Sequence, residues 1–105
     1  MGITSSALSK ARAAVSKTQA DVDELKADQA GAQTKLKLLQ TGDKAVDTLT
    51  QPFADQAGAL RQRSEAAVSA AQADLDEISA RLEVARTKHN LAVKALETLE
   101  SVTDD

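Results

Sequence analysis

Residues 38–56 read LLQTGDKAVDTLTQPFADQ and hold Gly42, Asp43 and the chain's one proline, Pro52, in a sequence that otherwise patterns as helix throughout. A helix often ends on a glycine in the left-handed conformation, and the next helix often starts on a short polar cap; Thr41-Gly42-Asp43 has that composition. The expectation is a chain reversal at Gly42. Pro52 suits the first turn of a new helix capped by Thr50 or Gln51, where its missing N–H has no intrahelical partner to lose. Inside one continuous helix it would remove a hydrogen bond and kink the rod. The track Val46, Leu49, Phe53, Ala57 and Leu60 nevertheless keeps helical spacing straight through the proline.

On either side of this stretch the apolar pattern is regular. Before it, Leu8, Ala11, Val15, Thr18, Val22, Leu25, Gln29, Ala32, Leu36 and Leu39 alternate steps of three and four residues. After it, Val68, Ala71, Leu75, Ile78, Leu82, Ala85, His89, Ala92, Leu96 and Leu99 do the same. This is the period of a coiled-coil seam, sustained over several heptads. Thr4, Ser5 and Ser6 offer N-caps to the first helix.

Two registers bring the seams together. A tight fold-back at Gly42 sets Leu36 near Leu49; a folded-back tip over residues 42–63 sets Leu8 near Leu99. In the second register Lys35 meets Asp74, Asp28 meets Arg81 and Asp21 meets Lys88, all of opposite sign. Each such exposed pair contributes only about 0.3–0.5 kcal/mol, but the first register offers no comparable set. The expected fold is therefore all-α: an antiparallel, coiled-coil-like helical hairpin forming a single domain over residues 1–105. Its elements are a helix from about 4 to 40, a short tip helix from about 43 to 50 and a long helix from about 52 to 101, with assembly into a larger helical bundle.

Composition narrows the function. The 105 residues contain one Phe and no Tyr, Trp or Cys. Large buried aromatic area, disulfides and thiolate metal sites are all excluded. Net charge is −3, and residues 53–105 carry ten acidic against six basic side chains. No basic stripe or stacking aromatic supports nucleic-acid binding. No apolar run reaches the length of a membrane span and no signal peptide opens the chain, so a soluble protein with no membrane partner is expected, its compartment unassigned.

Chemistry-bearing motifs are sparse. His89 is the only histidine; it occupies a seam position, and Arg86 stands where a metal-binding Glu three residues earlier would be wanted. It reads, with Gln29, as a polar residue that sets register. The run Asp74, Asp76 and Glu77 points in different directions around a helix and reads as a solvated face. Thr103-Asp104-Asp105 reads as a frayed tail. MGITSS at the start matches a short myristoylation pattern that many unrelated chains also match. No enzyme, metal or cofactor is expected; a catalytic role would need a site assembled between chains around His89.

Apolar residues off the seams are more informative. Val84 and Leu91 lie one heptad apart, with Val93 across the seam and Leu38 on the first arm; these four form a candidate interaction surface. Val46, Leu49, Phe53 and Leu60 form a candidate tip patch. Ala13, Ala20 and Ala27, with Ala73 and Ala80, recur every seventh residue on the outward face, as good helix formers or as points of close helix approach. The expected function is a non-enzymatic structural or interaction module, a homo-oligomer or one that docks on partner helices. In length and in the glycine-bearing turn near residue 42, the chain also resembles the small hairpins of the WXG100 type VII secretion group, which implies an adaptor, chaperone or secreted partner protein. It departs from that group in having Thr41, not Trp, before Gly42, and no Tyr in its tail.

Overall fold

In the computed structural model, which describes residues 2–53 and 55–103, the chain forms two long helices, α1 (Gly2–Thr50) and α2 (Gly58–Thr103). A single 3₁₀ turn, Gln51–Phe53, follows α1. No strand occurs among the described residues. The class is all-α, a helical hairpin.

The reversal lies at the proline, not at the glycine. The helix expected to end near residue 40 and the short helix expected over 43–50 are one continuous element, α1, and Gly42 has no left-handed backbone. A glycine inside a helix costs only about 1 kcal/mol, whereas the seam runs on through it as Asp43, Val46 and Thr50, all half-buried. The proline is a stronger stop, because its ring obstructs the carbonyl four residues back and biases the preceding residue away from helical angles. α1 accordingly ends at Thr50, one residue before Gln51.

The long helix expected from residue 52 begins at Gly58 instead. Pro52 lies within the 3₁₀ turn; the Phe53 carbonyl accepts from the Gln56 and Ala57 amides, and the Ala57 carbonyl takes the first bond of α2 from the Arg61 amide, each at 3.0 Å. At the other end, Thr4, Ser5 and Ser6 lie inside α1 rather than capping it. Ser and Thr are only a few tenths of a kcal/mol poorer than the average helix residue, too weak a penalty to stop the helix there. Asp104 and Asp105 of the expected tail lie outside the described residues.

The chain divides into two units, one taking in the ends up to Lys26 and from Ala80, the other Ala27–Ser79. In the terminal unit Val22, Leu82 and Ala85 are buried together with Leu25 packed against them, and Thr18 is bonded to His89. In the central unit Leu36 and Ala71 are buried, Gln29 is bonded to Ser79, and Asp47 is paired with Arg61. Within each unit, partners advance along α1 as they retreat along α2, in the register that sets Leu8 against Leu99. The six charges that favoured this register are all exposed. Every α1 seam residue from Leu8 to Leu39 is buried or half-buried, as is every α2 seam residue from Val68 to Leu99.

Candidate interaction surfaces

Three polar seam residues, Thr18, Gln29 and His89, find partners across the hairpin. The Thr18 hydroxyl donates to the Ala14 carbonyl at 2.8 Å, and its oxygen stands 2.9 Å from Nδ1 of His89. A hydroxyl has one proton, so with it placed on the carbonyl the oxygen accepts from a protonated Nδ1. Gln29 Nε2 donates to Ser79 Oγ at 3.1 Å. No buried side-chain polar atom lacks a partner among the described residues. His89 and Gln29, expected from sequence to set register, find their polar partners, Thr18 and Ser79, in the same chain. Thr18 itself was legible as a seam position, but Ser79 sits one residue off the seam.

Near the connection between the helices, Asp47, Thr48, Gln51 and Arg61 line an open hollow of about 260 Å³. Arg61 closes on Asp47 with Nη2 at 2.8 Å and Nε at 3.0 Å. The charges answer one another, and the hollow offers no converging set of free polar groups. Among the described residues no cluster of His, Asp and Glu is placed to hold a metal ion, and no helix is long and apolar enough to cross a membrane.

What remains is exposed apolar surface. In the terminal unit Val84 and Leu91 are exposed, as is Val102, while Val93 is half-buried. Val102 was missed in the sequence. It lies eighteen residues beyond Val84, which at about 3.6 residues per turn returns it to the same side of α2. In the central unit Leu38, Leu49, Phe53 and Leu60 are exposed, whereas Val46 is half-buried on the seam. The tip patch therefore divides: Val46 faces α2, and the other three face outward. Leu38, grouped with Val84 and Leu91 by sequence, belongs to the central unit with Leu49 and Leu60. Ala13, Ala20, Ala27, Ala73 and Ala80 are all exposed.

The chain matches no family model, no curated protein and no solved structure.

Proposed function

We propose that the protein is a non-enzymatic interaction module whose hairpins associate with copies of themselves, in the manner of coiled-coil and helical-bundle proteins. The observation that carries this is surface. Only Val22, Leu36, Ala71, Leu82 and Ala85 are buried among the described residues, while seven large apolar side chains are exposed.

Within this reading, His89 and Gln29 act as register keys. A one-heptad slip would part His89 from Thr18 and Gln29 from Ser79, leaving half-buried polar groups without those partners, and each unmade bond costs about 1–3 kcal/mol. The adaptor reading has less support: the glycine-bearing turn that carried the likeness to WXG100 hairpins is helix in this chain, and length alone remains.

The deciding measurement is the mass of the intact chain in solution, by sedimentation equilibrium from micromolar to millimolar concentration. A defined dimer or tetramer is expected. A folded chain that stays monomeric throughout would sink the proposal.

A further inference from the structure

Between Gly31 and Leu49, α1 presents a face that the hairpin leaves open. Leu38 and Leu49 are among its most exposed large apolar side chains, at 69% and 75%. Residues seven apart on a helix fall about 20° short of whole turns, residues eleven apart about 20° beyond, and residues eighteen apart coincide. Gly31, Leu38, Gly42 and Leu49 therefore share one narrow stripe, with Lys35 and Ala45 between them.

Nothing within the hairpin calls for these glycines. Their backbones have no left-handed angles, and a Cβ added at Gly31 or Gly42 would meet nothing within 4 Å. Each still costs the helix about 1 kcal/mol relative to alanine. Beside the stripe, Thr34, Thr41 and Thr48 donate their hydroxyls to the Ala30, Lys37 and Lys44 carbonyls at 2.9–3.0 Å. These groups are satisfied on their own helix. Lys35 is the one charged side chain on the stripe.

We infer that this face is where a second copy of the chain docks, with its own α1 running antiparallel to the first. The stripe is complementary to itself in that arrangement: when Leu38 stands over Gly42 of the second copy, Leu49 stands over its Gly31, Lys35 over its Ala45, and the same three pairs recur by symmetry. Such self-matching is what a two-fold interface requires. Glycine lets the two helix backbones approach and leaves a hole for each leucine, and Ala45 leaves room for the Lys35 stem to run out to water. Exposed Leu60, also in the central unit, adds apolar surface from α2. This inference rests on the self-association proposed above and specifies its surface.

The test is sedimentation equilibrium of the full chain beside Leu38→Lys, Gly42→Leu and, as a control on the terminal unit, Leu91→Lys. Gly42→Leu is the sharpest probe. It replaces a poor helix former in open space, so the isolated hairpin folds at least as well by circular dichroism, yet it fills the hole that Leu38 of the other copy needs. Both α1 variants should weaken dimerisation by about tenfold or more, and Leu91→Lys should leave it unchanged. The chain has no cysteine, so mixed Leu38→Cys and Gly42→Cys chains should cross-link faster than either does alone. A wild-type dimer that survives both α1 variants overturns this interface while self-association stands. A wild-type monomer at every concentration overturns both.

Discussion

Thr18 and His89 meet at 2.9 Å on half-buried seam positions, where the lone histidine touches the opposite helix through a polar atom. A hydrogen bond of this kind is worth about 0.5–1.5 kcal/mol net, less than the cost of leaving its half-buried groups unmade. The asymmetry predicts the outcome of a double-mutant cycle. Thr18→Val and His89→Leu should each change stability by an amount that depends on what their partner loses, and the coupling between them should come to about 1 kcal/mol. Thermal unfolding of the four proteins measures it. A coupling near zero would mean that the two side chains do not meet in solution. That His89 sits on a seam was legible, since the three-and-four spacing places it there; its partner was not, because a heptad pattern says which face a residue takes and not which atom lies opposite.

The elements show where that pattern outweighs local chemistry. Thr41-Gly42-Asp43 has the composition of a helix end followed by a new cap, yet α1 passes through it to Thr50. The glycine's penalty of about 1 kcal/mol is small beside the packing of Val46 and Thr50 along the same seam, and only Pro52, which removes a donor and obstructs the preceding turn, stops the helix. The seams over residues 8–39 and 68–99 were readable because their period extends over many turns, whereas the first seam's continuation through Asp43, Val46 and Thr50 was missed and the turn misplaced, because glycine is permissive and proline prohibitive, a difference that composition alone does not rank. Gly42→Ala separates the two readings. In helical backbone with nothing within 4 Å of the added Cβ, alanine should stabilise the hairpin by about 1 kcal/mol, or roughly 4–8 °C in Tm for a chain of this size. At a left-handed helix end it would destabilise instead. The measurement belongs at the lowest workable protein concentration, where assembly does not contribute.

For the molecule as a whole, the question is what a thin core implies. Five buried residues among those described leave little to offset the ordering of about a hundred, which costs on the order of 1–2 kcal/mol each for the backbone alone. Seam pairing supplies part of the balance. Sequence showed that apolar residues lay off the seams, but not which of them stay wet, because helical spacing alone grouped Val46, which faces α2, with Leu49, which faces water. If the exposed faces are covered by a second copy, folding and assembly are linked, and stability must depend on protein concentration. For a folded dimer that unfolds to two chains, a tenfold rise in concentration stabilises each protomer by about 0.7 kcal/mol, half of the 1.4 kcal/mol that tenfold represents, because two chains share one association. Unfolding midpoints by circular dichroism should then climb by about 3–6 °C per decade of concentration. A hairpin that folds alone gives a flat line, and would require its seam to supply all the stability despite so few buried side chains.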